Sequence, residues 1–255
     1  MNGLFSRILR LDVNTTGGKI VRWPLRLIPS GVILPILSGS CKGMKWIAGS
    51  GVQGCWLGTY ESEMQNLIER RVSPGMVAYD IGAQAGIYTL LFSRRVGIEG
   101  RVYAFEPFYK NVANLMRHVE VNRLENVRVI QAAVYDRGSV VPFQIHASCF
   151  MGSVSPADSA FHVAACSLDD FIAQGNPEPD VVKLDVEGGE SAVLRGAEKL
   201  LKKRKTTWVV STHGPKQTRS CLAVFSGFRY TLQSLDGSSI SGKSEESLSE
   251  IVAIP

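Results

Sequence analysis

The chain reads as an α/β protein built on a mainly parallel sheet with helices on both faces, and two observations predict this. Short β-rich runs alternate with helical patterns of ten to fifteen residues, the signature of crossover units. A Gly-rich segment, YDIGAQAGIYT at 79–89, also stands about one such unit ahead of YAFEP at 103–107. A tight strand-to-helix turn followed by an acidic residue at the next strand end is the layout of a nucleotide-type cofactor site.

The elements follow in order. Residues 1–58 are punctuated by Gly and Pro, which predicts an N-terminal lead-in packed on a main domain at 59–255. A helix is expected from Glu61, because Met64, Leu67, Ile68 and Val72 share one face at helical spacing. Pro74-Gly75 forces a turn and launches a first strand, Met76 to Tyr79. The next helix begins near Ala85 and ends before Gly97 or Gly100, and Val102 to Phe105 is the second strand.

A third helix follows from Val112, Leu115, Met116 and Val119, with Asn111, Asn114, Arg117 and Glu120 between them. Val127 to Ala133 is the third strand. Regularity lapses from Asp136 to Ser167, where Val140–Ile145 and Phe161–Ala165 are short extended pieces around a Ser-rich loop at 148–159, a place for acceptor recognition. A short helix Leu168–Ala173, a fourth strand Asp180–Asp185, a helix Ser191–Lys203 and a fifth strand Thr206–His213 complete the alternation. Phe228–Leu235 and Glu250–Ala253 read as an antiparallel pair at the sheet edge.

Composition bounds the class. The chain has 255 residues, 45% hydrophobic and 20% charged, enough for one sizeable core. Its net charge of +5 resides in the N-terminal segment, because residues 1–45 carry Arg7, Arg10, Lys19, Arg22, Arg26, Lys42 and Lys45 against Asp12. Such a segment could touch an anionic membrane surface, the runner-up to a solvated basic face. Leu25 to Leu37 is too short to span a bilayer and is broken by Arg26, Pro29 and Pro35. Cys41, Cys55, Cys149, Cys166 and Cys221 form no CxxC and are odd in number, which predicts free thiols and a cytoplasmic location.

Gly82 and Gly86 let the first strand turn sharply and a ligand approach the backbone, while Asp80 stands at the strand end. A pyrophosphate needs the helix N-terminus to itself, and an aspartate at the head of GAQAG would repel it. The same carboxylate suits the ammonium and sulfonium charges of S-adenosylmethionine. Glu106 ends the second strand, where a carboxylate can hold two ribose hydroxyls. S-adenosylmethionine is therefore favoured over NAD.

KLDVEGGE at 183–190 concentrates charge at a buried strand end. Lys183, Asp185 and Glu187 share a face in an extended segment and must pair, bind something or open into a cleft. Glu190 stands where a helix N-terminus favours negative charge. His213 ends the fifth strand within reach of these carboxylates and is a candidate proton acceptor, with Asp185 and Glu187 assisting. The same groups could hold Mg²⁺, a disfavoured alternative because Lys183 already supplies a cation. His118, His146 and His162 have no comparable partners in sequence.

The chain resembles the FkbM family of S-adenosylmethionine-dependent methyltransferases, through KWIAGSGVQGCWLGTYE at 45–61, YDIGAQAGIYTLLFSRRVG at 79–97, YAFEPFYKNVANLMRHVEVN at 103–122, SLDDF at 167–171 and KLDVEGGE at 183–190. The resemblance implies the class I methyltransferase fold, a Rossmann-like three-layer sandwich whose seven-stranded sheet has the order 3-2-1-4-5-7-6 with its last inserted strand antiparallel. It also implies that Asp80, Gly82 and Gly86 line the methionine end of the cofactor, Glu106 the ribose, Ala133 or Val134 the adenine, and Asp185 the site of methyl transfer.

Gln84 departs from the asparagine common in the family, and its longer side chain displaces the amide. STHGP is a loose match to the family's ending of the fifth strand. The implied reaction is methyl transfer to a hydroxyl oxygen of a sugar or secondary metabolite. The alternatives are an NAD-dependent oxidoreductase, a nucleic-acid methyltransferase and a noncatalytic cofactor-binding protein. No interleaving of aromatic and basic residues suits a nucleic-acid strand, so no nucleic-acid partner is expected.

Overall fold

The computed structural model describes residues 24–145, 152–154, 161–240 and 242–255. Arg7, Arg10, Lys19, Arg22, His146, Cys149 and most of the Ser-rich segment lie outside the described residues. The chain opens with a hairpin of β1 (Ile33–Pro35) and β2 (Lys45–Ile47), then α1 (Gln53–Leu57) and α2 (Ser62–Arg71). There follow β3 (Val77–Ile81), α3 (Ile87–Val96), β4 (Arg101–Phe105), α4 (Tyr109–Asn122) and β5 (Val127–Ile130). Next come β6 (Ala133–Val134), β7 (Ser139–Ile145), β8 (Gly152–Val154), β9 (Phe161–Cys166), α5 (Leu168–Ala173) and β10 (Val181–Leu184). The chain finishes with α6 (Glu190–Arg195), α7 (Glu198–Lys203), β11 (Thr207–Ser211), α8 (Pro215–Gly227), β12 (Thr231–Gln233) and β13 (Glu250–Ile254).

Seven strands form one sheet in the order β5-β4-β3-β10-β11-β13-β12. Neighbours are parallel except β13, which is antiparallel to both β11 and β12. Numbered along the chain, this is the class I methyltransferase order. The last strand takes an inner position because EIVAI is apolar enough to be covered on both faces, and Ile251, Val252 and Ala253 are wholly buried.

Alternation along the strands divides the core. Ala78, Val102, Val181, Val209 and Val252 face α2, α3 and the N-terminal hairpin, packing with Trp46, Leu57, Ile68, Leu90 and Phe92. Tyr79, Phe105, Val182, Leu184 and Trp208 face α5 to α8, packing with Phe171, Leu194, Leu201 and Phe225. Burying a side chain of this size contributes about 1.5–3 kcal/mol.

Five expectations need correction. The first strand runs to Ile81, which carries Asp80 into the sheet rather than onto its rim. The third strand stops at Ile130, and Ala133–Val134 join a second sheet of order β6-β9-β7-β8, to which the extended pieces expected at 140–145 and 161–165 also belong. The expected helix over 191–203 breaks at Gly196 because the chain there presses on Tyr135, whose carbonyl oxygen would lie 2.2 Å from an added Cβ. On α4 the buried face is Asn111, Val112, Leu115 and His118, while Met116 is 57% exposed. Helix α8 occupies a stretch to which the sequence assigned nothing, buried through Thr218, Cys221 and Phe225. No helix among the described residues is long and apolar enough to cross a membrane.

Candidate active site

The site lies at the C-terminal edge of β3, β4, β10 and β11, where an open parallel sheet offers a crevice. At the end of β3, Gly82 adopts φ +80°, and a Cβ there would lie 1.8 Å from the Asp185 carbonyl oxygen. Only glycine lets β3 and β10 exit so close together. The amides of Gly82 and Ala83 donate to the Phe105 carbonyl at 3.0 Å, and Gly86, at φ +97°, leads into α3. Gln84 sits between them at φ +49°, a left-handed conformation that asparagine tolerates better than glutamine.

Two chambers flank this turn and share Gly82, Gln84, Asp185 and Glu187. The first is a largely apolar slot whose walls include Glu106, Ala133, Val134, Phe143 and Val154. Glu106 is almost fully buried and its carboxylate is fixed by three donors: the Gln84 amide at 2.9 Å, the Phe108 amide at 2.9 Å and Asn111 Nδ2 at 3.3 Å. Burial pushes its pKa up to about 7 against these donors. Ala133 and Val134 reach the slot through β6, so the second sheet contributes to the same walls as Glu106.

The second chamber, about 390 Å³, is lined by Trp46, Tyr60, Glu61, Gly86, Tyr88, Lys183, Asp185, Glu187, His213 and Glu250, among others. Lys183 and Asp80 are register neighbours on β10 and β3, and both are buried. Asp80 lies beneath the turn and is absent from both chamber walls. Its Oδ2 accepts from Thr89 Oγ1 at 2.6 Å, while Oδ1 has no hydrogen-bond partner among the described residues. Burial raises the Asp80 pKa. Burial alone would lower that of Lys183, but Asp185 and Asp80 outweigh it and hold the ammonium charged.

Lys183 Nζ donates to Asp185 Oδ2 at 2.9 Å and stands 4.5 Å from the Tyr88 ring centroid. The other oxygen of Asp185 faces His213. His213 Nε2 lies 3.6 Å from Asp185 Oδ1 and 3.4 Å from Glu187 Oε2, and its Nδ1 lies 2.8 Å from Glu190 Oε1. Glu190 is wholly buried at the start of α6, where the same oxygen accepts from the Gly188 amide at 2.9 Å. Its role as a helix-start acid is thus joined to a second one, orienting an imidazole. The hydrogen bond to Glu190 raises the His213 pKa to about 9, assisted by the charges of Asp185, Glu190 and Glu187 against burial.

The structure therefore brings Asp185, Glu187 and His213 together in one chamber and Glu106, Ala133 and Val134 in the other. Sequence reasoning missed Tyr60 and Tyr88, which line the second chamber, the Tyr88 hydroxyl donating to Glu61. It also treated His118 as incidental, although its ring ties two segments together beside the cofactor turn. Tyr88 lies within the quoted YDIGAQAGIYT and Glu61 ends the quoted GTYE, but no spacing rule links residues 27 apart. His162 lies exposed on β9, away from both chambers.

These residues fit S-adenosylmethionine. Carboxylates outnumber cations around the second chamber, which suits a sulfonium and an ammonium and would repel a pyrophosphate. Glycine is required where the backbone must approach, and a buried acid ends β4.

Among solved structures the fold resembles a methyltransferase FkbM from Methylobacillus flagellatus, with 18% identity and a TM-score of 0.51 over 72% of this chain and 44% of that one. A putative rRNA-methylase from Clostridium thermocellum is 14% identical at TM-score 0.49, covering 75% of this chain and 93% of that one. An S-adenosylmethionine-dependent O-methyltransferase from Thermotoga maritima is 13% identical at TM-score 0.46, covering 84% and 69%. The chain thus spans less than half the length of the Methylobacillus protein. A comparison with curated protein sequences found no match. The model of the methyltransferase FkbM domain matches residues 80–236, more than half of the chain and the whole span from Asp80 through the fifth strand. With that match, the strand order and the two-chambered crevice, the chain belongs to the FkbM family of S-adenosylmethionine-dependent methyltransferases.

Proposed function

We propose that the protein transfers a methyl group to a hydroxyl oxygen of a small polyhydroxylated acceptor such as a sugar, with His213 as the general base. One observation carries this reading: His213 presents Nε2 to the second chamber while the buried Glu190 holds Nδ1 at 2.8 Å. A carboxylate behind an imidazole sets the tautomer and stabilises the imidazolium that forms. S-adenosylmethionine supplies, when bound, an electrophilic methyl group on a sulfonium.

The chain's own residues do the rest in this reading. Glu106 accepts from the ribose hydroxyls, Ala133 and Val134 pack against the adenine, and Gly82 and Gly86 give the backbone room. Asp80 acts from below, through Lys183 and Thr89. Asp185 and Glu187 accept hydrogen bonds from neighbouring acceptor hydroxyls and hold the reacting oxygen toward the methyl group. His213 Nε2 takes the proton as that oxygen forms its new bond to carbon. Trp46 and Tyr60 line the chamber with the aromatic surface a sugar ring packs against. Residues 59–255 form the catalytic body, and the lead-in contributes Trp46, Gly51, Val52 and Cys55 to one wall.

The test is methyl transfer to a panel of sugars and small alcohols, followed by mass spectrometry. Wild type should form methyl ethers, and His213→Ala should lose about 10²–10⁴-fold in kcat with cofactor affinity retained. Methylation of tRNA or DNA in place of hydroxyl compounds would overturn the acceptor assignment. A second reading has one supporting fact: a ligand atom each from Asp185, Glu187 and His213 lie within 4.8 Å of one another, a set able to hold Mg²⁺. It is less favoured because Asp185 already pairs with Lys183. Activity lost to a chelator and restored by Mg²⁺ would reverse the ranking.

A further inference from the structure

The methionine end of the cofactor carries an α-ammonium, and Asp80, the acid at the head of the Gly-rich turn, does not line the crevice in which that ammonium would lie. The second chamber has four carboxylates in its wall: Glu61, Asp185, Glu187 and Glu250. Asp185 is paired with Lys183, and Glu187 lies against His213. Glu250 accepts from Ser249 and stands beside Ser211 on the flank where the chamber opens into a wide polar groove between α2 and the β12–β13 edge. It therefore lines the flank that the chamber shares with this groove.

Glu61 differs from the other three. Its carboxylate accepts from the Tyr88 hydroxyl, with Tyr60 beside it in the chamber wall, and has no cationic partner within 4.0 Å among the described residues. Both phenols have raised pKa values, through burial first and then the Glu61 charge, so they remain donors. Tyr88 is the second residue of α3, directly after the turn that ends at Gly86, so it fixes Glu61 beside the cofactor turn. The residue also bears φ +39°, ψ +52°, a left-handed conformation that costs a non-glycine residue about 1–2 kcal/mol. A carboxylate in the chamber wall, anchored by the Tyr88 hydroxyl and free of an ion pair within 4.0 Å, is a receptor for a cation.

We infer that Glu61 binds the α-ammonium of S-adenosylmethionine, held in place by Tyr88. The inference rests on the assignment of the second chamber to the methionine end. It makes cofactor recognition depend on a residue outside the segment 80–236 that the family model matches.

Calorimetric titration of the full chain tests it with three ligands: S-adenosylmethionine, 5′-methylthioadenosine, which lacks the amino-acid portion, and the S-adenosylmethionine analogue whose α-ammonium is replaced by hydroxyl. Wild type should bind the hydroxyl analogue at least tenfold more weakly than the parent. In Glu61→Gln that discrimination should vanish, with affinity for 5′-methylthioadenosine unchanged. Equal loss of affinity for all three ligands, or retained discrimination in the variant, would overturn the proposal. Wild type that fails to discriminate overturns it without any variant. Wild type that binds 5′-methylthioadenosine but not S-adenosylmethionine would overturn the assignment of the second chamber itself, and the role of Glu61 with it.

Discussion

Glu190 confers on His213 a fixed tautomer and a raised proton affinity, and the two have opposite consequences at neutral pH. A base must be neutral to accept a proton. With a pKa of about 9, only about one imidazole in a hundred is neutral at pH 7. The rate constant kcat/KM should therefore climb with pH and level off near 9. Glu190→Gln keeps an acceptor for the Gly188 amide but removes the charge, so the inflection should move down toward 6.5 while the plateau falls. A pH–rate profile of both proteins checks this, and an unchanged inflection would separate Glu190 from the titration. The acid at 190 was visible in the sequence as a helix-start residue. Its partnership was not, because the two residues are 23 apart and meet only when β10 and β11 pair. Gln84 shows the same division: its departure from the family asparagine is legible, and its left-handed backbone explains why asparagine suits the position.

Among the elements, α4 shows how a residue without sequence partners can hold the site. His118 is wholly buried and stacks on Trp46 at 4.0 Å between ring centroids. Its Nε2 accepts from the Ile47 amide at 2.9 Å, so Nδ1 carries the proton and donates to the Ala85 carbonyl at 2.7 Å. One ring thus ties the N-terminal hairpin to the cofactor turn. His118→Leu should cost about 2–4 kcal/mol, because it leaves two buried backbone groups unpaired.

Burial lowers the His118 pKa to about 4. A folded-state pKa depressed below the ordinary 6.5 contributes stability that is present above 6.5 and lost as pH falls toward 4. Urea denaturation across pH 7 to 4 should show that loss in wild type and not in His118→Leu. Periodicity placed α4 correctly but rotated its face, choosing the apolar Met116 over the polar Asn111 and His118. A polar side chain can be buried when it satisfies the backbone of another segment, and hydropathy does not register that.

At the scale of the molecule, the crevice has walls from parts of the chain far apart in sequence. The N-terminal hairpin supplies Trp46, the start of α2 supplies Glu61, the second sheet supplies Val134 and Phe143, and the strand ends supply Glu106, Asp185 and His213. A ligand touching all of them should stabilise the fold as a whole. Cofactor at a hundred times its Kd should add about 2.7 kcal/mol and raise Tm by about 5–10 °C, read by thermal denaturation. A Tm unmoved at saturation would mean that the walls do not close on one ligand.

What the sequence by itself determined was the chemistry that is local along the chain. The Gly-rich turn, Glu106 at a strand end and the cluster from Lys183 to Glu190 each lie within one strand and its exit, where a two-residue period and a glycine's freedom suffice to read them. Only the tertiary structure decided that Asp80 lies below the crevice rather than in its wall, that β6, β7, β8 and β9 form a second sheet, and that Glu61 meets Tyr88 and His213 meets Glu190. These outcomes depend on which strands pair and on how far a helix is rotated against the sheet. Both are set by the sum of many contacts, and no single stretch of residues carries that sum.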